Sequence, residues 1–403
     1  MSDWLVIILI LGAVQGLFLA AVLMSERRRS TPNRLLAATM TAFAIDLGMA
    51  VYHGSGFVEG FPVLIGADYP LAFLYGPLLY LYAGALTDPG FRMGGKRLVH
   101  LVPFALLVFA LIPFYARSGD AKLAFLGAPP SDFWPGVLGV VNHLKLVHAL
   151  TYLAFTLTVL RRHRLRVRDA FSYTEHVNLS WLRNLMTGII VMAGLAVVFY
   201  VLTLEEEGPP MGLDPSSVYD DYTLLGLSLF VYAIGFMGLR QPEVFDARRS
   251  AARLPEAPVA ALAEKPDEPA AATAAGPRYA KSGIDLETAK RHAGELLRVM
   301  EAEKLYRKND LTLLDLSVAL DLSAHNLTEV INTQLGKNFY DFINAYRVEE
   351  VKERLVDPSY DHLTLLALGT DAGFNSKSSF NAVFRKHTGM TPSEYRRSGR
   401  ATG

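Results

Sequence analysis

Seven apolar stretches dominate the first 240 residues, near 4–24, 34–53, 68–87, 98–116, 136–160, 183–204 and 221–240. Each approaches the roughly 20 residues that a helix needs to cross the hydrocarbon core of a bilayer. Past residue 284 the spacing becomes that of amphipathic helices: Ala289, Leu296, Leu297 and Met300 share one face opposite a charged one. Two helix-turn-helix patterns follow. In the first, Thr312 with Asp315 three residues on predicts a capping box, Leu313, Leu316 and Ala319 face inward, and Asp321-Leu322-Ser323 makes the turn. Ser323 then caps a helix that buries Leu327, Val330, Ile331 and Leu335 and stops at Gly336. A longer helix, about 338–356, ends before Pro358. The second unit begins at Thr364, turns through Asp371-Ala372-Gly373, restarts at Asn375 or Ser376, and buries Phe380, Val383, Phe384 and His387. The predicted fold class is all-α: a seven-helix transmembrane bundle over 1–240, and a cytoplasmic helical domain over 284–403 with two helix-turn-helix units.

Charge placement orients the bundle. Lys and Arg number three in 25–33, three in 88–97 and five in 161–182, whereas 54–67 and 205–220 have none and 117–135 has only Arg117 and Lys122. Positive residues favour the cytoplasmic side, so the amino terminus is expected outside and the carboxyl terminus in the cytoplasm of a bacterial inner membrane. Glu26-Arg27-Arg28-Arg29 follow the first apolar run instead of preceding it, which predicts an uncleaved anchor.

Between the two parts, 241–283 sets Pro242, Pro255, Pro258, Pro266, Pro269 and Pro277 among Ala, Glu and Arg. Such a segment cannot bury enough apolar surface to fold, and a flexible linker is expected. The whole chain carries 39 basic and 39 acidic side chains, so net charge says nothing about partners. It has no cysteine, which excludes disulfides, thiolate metal sites and cysteine nucleophiles.

Two helix-turn-helix units joined by a helix, closing in Gly389-Met390-Thr391-Pro392-Ser393-Glu394-Tyr395-Arg396, resemble the DNA-binding module of AraC-type transcriptional regulators along about 284–397. Tyr75-Gly76-Pro77-Leu78-Leu79-Tyr80 and Leu179-Ser180-Trp181-Leu182-Arg183 are similar to segments of the membrane-embedded members of that family. The resemblance implies a transcriptional regulator with double-stranded DNA as partner, RNA polymerase as a further partner, and a homodimer as the working form.

On the second recognition helix, Lys377, Asn381 and Arg385 are spaced four apart, opposite Phe380 and Phe384. Lys and Arg donate to guanine O6 and N7 or to phosphate, and Asn pairs with adenine N6 and N7. Ser376, Ser378 and Ser379, at the helix start, are placed to donate to phosphates. In the first unit the exposed face holds His325, Thr328, Glu329 and Asn332, and the stretch 310–336 has four acids and no Lys or Arg. It can read base edges but cannot neutralise phosphates. By contrast, 371–403 holds six basic residues against two acids, so the second unit is expected to supply most of the affinity.

Polar residues inside the apolar runs are candidates for the input. Asn142, Lys145, His148, Tyr152 and Thr156 fall within about a third of a helical circumference. A lysine within a bilayer usually faces the bundle interior, and Asp46 lies at a similar depth to Lys145. An Asp46–Lys145 pair beneath an outward-opening pocket for a small-molecule signal is the expectation, with a structural ion pair as the plainer alternative. No GxSxG, HExxH or metal-ligand spacing occurs, so neither an enzyme nor a cofactor is expected. The competing class is a transporter or membrane receptor whose helical tail docks a protein.

Overall fold

The computed structural model describes residues 3–25, 30–88, 90–127, 133–173, 224–234 and 285–401, with a few single residues between 184 and 194. The predicted linker 241–283, the segment Leu179-Ser180-Trp181-Leu182-Arg183 and most of the sixth apolar run lie outside the described residues. The described chain is all-helical, with one isolated antiparallel bridge, Phe171 to Thr312. It divides into two units. One comprises Met1–Arg161 and Leu179–Ala251, the other Arg162–Asn178 and Ala252–Gly403.

In the first unit, α1 (Asp3–Met24) packs along α2 (Thr31–Gly54). Ser30 caps α2 by accepting the Asn33 amide, with Pro32 in the first turn, where its missing N–H is not needed. Close approach of the two helices depends on Gly12 and Gly16, a G-x-x-x-G pair: a Cβ on Gly16 would lie 3.1 Å from the Ala44 Cβ and 3.2 Å from the Met40 carbonyl. Small residues at that spacing let helices meet where lipid supplies no hydrophobic drive between them. Leu5, Leu9 and Leu23 are buried against Leu36, Met40, Phe43 and Leu47. The other side of α1 turns Trp4, Ile7, Leu11, Val14 and Phe18 outward, Phe18 being 65% exposed. A contiguous apolar face of this kind matches lipid better than water.

The third element, α3 (Ala72–Thr87), has 16 residues, fewer than the predicted 68–87, because 68–71 coil into turns around Pro70. A short stretch from Gly95 leads into α4 (Val102–Tyr115), and α5 (Gly119–Gly127) follows. Around the ends of α2 and α4, Met49, Tyr52, Ile65 and Phe114 form a small separate core. Lys122 of α5 is buried there, donating to the Val63 carbonyl at 2.8 Å beneath the Phe114 and Tyr115 rings.

The longest helix, α6, runs Phe133–Ala170, 38 residues. At 1.5 Å per residue it is about 57 Å long, well beyond a bilayer core. Its basic stretch from Arg161 to Arg168 was expected to be loop; instead the helix continues through it.

The helix count also corrects the expectation of seven spans. Among the described residues four helices are long and apolar enough to cross a membrane: Asp3–Met24, Thr31–Gly54, Gly95–Tyr115 and Val140–Ala170. Ala72–Thr87 falls short of that length, as does Leu224–Ile234, which is as much of the seventh run as is described.

The second unit holds α7 (Leu286–Glu303), α8 (Leu313–Ala319), α9 (Ala324–Gln334), α10 (Phe339–Val356), α11 (Leu365–Asp371), α12 (Lys377–Thr388) and α13 (Pro392–Ala401). The Thr312/Asp315 capping box forms as predicted, and Ser323, Asn338, Thr364 and Ser376 each cap the helix they precede. Two cores flank α10. Phe342 and Ile343 join Leu296, Met300, Leu313, Leu316, Leu327 and Ile331, whereas Val348 and Val351 join Leu368, Phe374, Phe380, Val383 and Phe384. Two inward assignments fail. Ala319 is exposed while Ser317 and Leu320 are buried, and His387 is exposed because α12 has already turned its last basic residues to solvent.

Candidate nucleic-acid interface

Each helix-turn-helix unit turns in the same way. After α8, Asp321 takes a left-handed φ of 52°, its amide reaches the Val318 carbonyl, and the Leu322 amide reaches back to Ser317 at 2.9 Å. After α11, Gly373 takes φ 100°, its amide reaches Thr370, and the Phe374 amide reaches Gly369 at 3.0 Å. This paired bonding satisfies the last carbonyls of the first helix and throws the chain sharply into the second. The turn geometry thus repeats although one unit uses Asp where the other uses Gly. Gly369 lets α11 and α12 cross closely, since a Cβ there would lie 2.9 Å from the Phe380 ring.

On α12, Lys377, Ser378 and Arg385 are exposed and Asn381 is half-buried, all opposite the buried Phe380 and Phe384. Ser376 is committed to the cap: its hydroxyl accepts the Ser379 amide at 3.1 Å and lies 2.9 Å from the Ser378 hydroxyl. Lys386 turns away from this row and binds Asp341 of α10 at 2.7 Å. This face therefore presents two cations and an amide in line, the side-chain chemistry that major-groove contact would use.

On α9, His325 and Asn332 are exposed and Thr328 is half-buried. Thr328 returns its hydroxyl to the Ala324 carbonyl at 2.8 Å, which leaves His325 and Asn332 as the exposed polar side chains of this face. No cation joins them on the helix, and one Glu329 carboxylate oxygen is buried without a hydrogen-bond partner.

Arg347 of α10 is a buried charged residue at the junction of the two units that the sequence reading missed. It is 1% exposed, donating from Nε to the Tyr306 carbonyl at 2.7 Å and from Nη2 to the Lys308 carbonyl at 2.9 Å. Burial pulls its guanidinium down to about 10. A Cβ on Gly373 would lie 2.9 Å from its Nε, so the arginine sits between the loop before the first unit and the turn of the second. The only signal was its register, four residues after Ile343 and four before Val351, which is a core position. Beside it, Glu350 receives the Arg307 guanidinium at 3.0 Å and pairs with Arg354. Burial raises the Glu350 carboxyl, but hydrogen bonds from Arg307 and Tyr306 and the Arg354 charge outweigh that and hold it below its ordinary value.

In the first unit, the predicted polar face of α6 does meet α3 and the turns before it. Asn142 accepts the Tyr69 hydroxyl at 3.0 Å, and the Lys145 ammonium lies 3.3 Å from the Tyr69 ring centroid. One turn on, the His148 ring is 4.9 Å from that of Phe73; a further turn on, the Tyr152 hydroxyl meets His100 Nδ1 at 2.8 Å and its ring neighbours Tyr80. Numbers rise together along both helices, so α3 and α6 run parallel. A Cβ on Gly76 would lie 2.7 Å from the Tyr152 Cβ, which makes that contact a close one. Asp68 pairs with His53 at 3.7 Å, and the Tyr75 hydroxyl is buried beside Asp46. Among the described residues no cluster of His, Asp and Glu has metal-holding geometry.

Taken together, the carboxyl-terminal fold is a double helix-turn-helix domain in which α12 carries two exposed cations and α9 none. Residues 316–398 match the family described as "Helix-turn-helix domain". Over 99 residues the chain is 31% identical to an uncharacterized HTH-type transcriptional regulator of Staphylococcus aureus strain COL, and likewise to one of strain MSSA476, in each case across 25% of this chain. The matched stretch spans 13% of the length of those relatives. Among solved structures, a protein of unknown function from Listeria innocua is similar at 26% identity over 26% of this chain and 93% of its own, with a TM-score of 0.23. The similarity to transcriptional regulators is thus a property of the carboxyl-terminal domain.

Proposed function

We propose that this protein is a membrane-anchored, sequence-specific transcriptional regulator that couples a signal received by its amino-terminal helices to gene expression. The observation that carries the reading is the row Lys377, Asn381 and Arg385, held outward on a capped helix in a domain similar to those of HTH-type transcriptional regulators. Anchoring is supported by the outward apolar face of α1, by Leu106, Phe109 and Ile112 on α4, and by Leu144, Val147 and Leu150 on α6, all exposed. A helical membrane anchor with the carboxyl terminus in the cytoplasm is the topology proposed, supported by the four helices long and apolar enough to cross a bilayer among the described residues.

The signal site we assign to the polar row of α6, Asn142, Lys145, His148 and Tyr152, with Asp46 and Asp68 nearby. Footprinting and mobility shifts with the full-length protein in nanodiscs test the DNA function: a protected site of defined sequence is expected, and binding indifferent to sequence would overturn the reading. Lys145→Met tests the pocket. Normal membrane levels with an altered transcriptional response are expected, and an unchanged response would remove Lys145 from the signal site.

A further inference from the structure

The chain leaving α6 belongs to the same compact unit as the DNA-binding domain and is seated on it. Phe171 is 1% exposed and forms the antiparallel bridge with Thr312, the capping residue of α8. The Ser172 amide and hydroxyl both donate to the Leu311 carbonyl, at 3.2 and 2.7 Å. Arg347 holds the other side of the same residue: Nη1 donates to the Ser172 carbonyl at 3.2 Å and Nη2 to its hydroxyl at 3.1 Å, while the Asn344 amide adds a bond to that carbonyl at 3.1 Å. Arg168 reaches Asp341 at 3.3 Å, the carboxylate that also holds Lys386 of α12.

A buried guanidinium is tolerated only when its donors are satisfied. Arg347 has no carboxylate partner among the described residues; carbonyls, one amide oxygen and one hydroxyl satisfy it, and Ser172 supplies two of these. Without the segment, those donors would face an emptied groove at the junction of the two helix-turn-helix units. The partners named above lie on α10 and at 311–312, apart from α9 and α12.

We propose that residues 167–173 are a docking strap that clamps α10 to the loop before α8 and so fixes the two helix-turn-helix units in their DNA-binding arrangement. The strap continues directly from α6, so the domain has a second attachment besides its linker, one that comes from the helix carrying the polar row. The claim about DNA rests on the function proposed above; the docking itself does not.

Because the chain has no cysteine, an engineered pair reports without background. Residues opposed in an antiparallel bridge place their Cα atoms about 4.5–5.5 Å apart, a separation that a disulfide spans. Full-length F171C/T312C, carrying a protease site within 241–283, is oxidised gently in membranes and cleaved. The carboxyl-terminal fragment is expected to stay joined to the membrane fragment until reduced, whereas F171C/V318C, whose Val318 is exposed, should release it. Equal release from both pairs would overturn the docking. Oxidised F171C/T312C is further expected to bind its DNA site at least as well as the reduced form, and Ser172→Pro, which removes the donor to Leu311, to bind it more weakly. Loss of DNA binding on oxidation would overturn the supporting role. Failure of the unmutated protein to bind DNA would instead count against the proposed function, and the cross-link would still decide the strap.

Discussion

Gly373 backs directly onto the Tyr306 carbonyl: a Cβ there would lie 2.5 Å from that oxygen, closer than real contacts allow. The turn of the second helix-turn-helix unit is thereby pressed against the loop that precedes the first, with Arg347 beside both.

Gly373→Ala is therefore expected to do more than strain a turn. A left-handed residue with a Cβ costs roughly 1–2 kcal/mol, and forced displacement in a packed core adds about 1–3. Gly389, at φ 76° with open space around its position, should lose only the first part on substitution by Ala. Amide exchange in α12 of the full-length protein measures both. Gly373→Ala should raise exchange of its core amides by about five- to 150-fold more than Gly389→Ala does. Equal effects would mean that the two units are not packed through this turn.

The charge asymmetry between the reading helices makes a second prediction. Arg385→Ala removes an exposed cation from the row on α12 and should weaken DNA binding by about 1–3 kcal/mol, with a lower salt slope if the contact is to phosphate. Glu329→Ala removes a carboxylate whose buried oxygen has no hydrogen-bond partner, and affinity should hold or improve. Mobility shifts at several salt concentrations compare the two. Equal losses would show that both helices bear on the DNA alike.

Acid should loosen the domain through named carboxylates. Burial raises Asp341, but the Lys386 hydrogen bond and the Arg168 and Lys386 charges hold it below its ordinary 3.8, as Glu350 is held below 4.5. Depressed folded values mean that these groups stabilise the fold above their unfolded values and that this is lost as pH falls through the folded ones. Thermal unfolding of the carboxyl-terminal unit followed from pH 7 downward should thus show a falling midpoint chiefly below about pH 4.5. Glu350→Gln should lower the midpoint at pH 7 and flatten the fall; a variant with the parent's pH profile would remove Glu350 from the account.

Much of the carboxyl-terminal domain was legible because its signals are local. Thr312 with Asp315, Ser323 and Gly389 act within one turn of themselves, and the buried row Phe380, Val383, Phe384 follows from helical period alone. Misreadings came where packing chose between neighbours, as when Leu320 went inward in place of Ala319. The polar face of α6 was readable as a face, but its partners were not: Lys145 lies over Tyr69, which stands in the turns before α3, where no helical period marks it. Arg347 and Ser172 are 175 residues apart and joined through a backbone carbonyl and a hydroxyl, which leave no periodic trace. The extension of α6 to Ala170 was hidden because a basic run reads as loop beside a membrane.

The last prediction concerns α1 and α2. Their contact at Gly16 leaves a Cβ 3.1 Å from Ala44 and 3.2 Å from the Met40 backbone, so even a methyl group must push the helices apart. A branched side chain would have to move a whole helix, because the obstacle is backbone as well as side chain. Gly16→Ile is therefore expected to lower the thermal stability of the detergent-solubilised protein and its yield in membranes, at a cost of the order of 1–3 kcal/mol for overpacking. Val14 is exposed on the opposite face, so Val14→Ile should change neither. Were α1 a loosely tethered anchor, the two variants would behave alike. A drop confined to Gly16→Ile would show that the G-x-x-x-G face holds α1 to α2, leaving the apolar face at Trp4, Val14 and Phe18 for lipid.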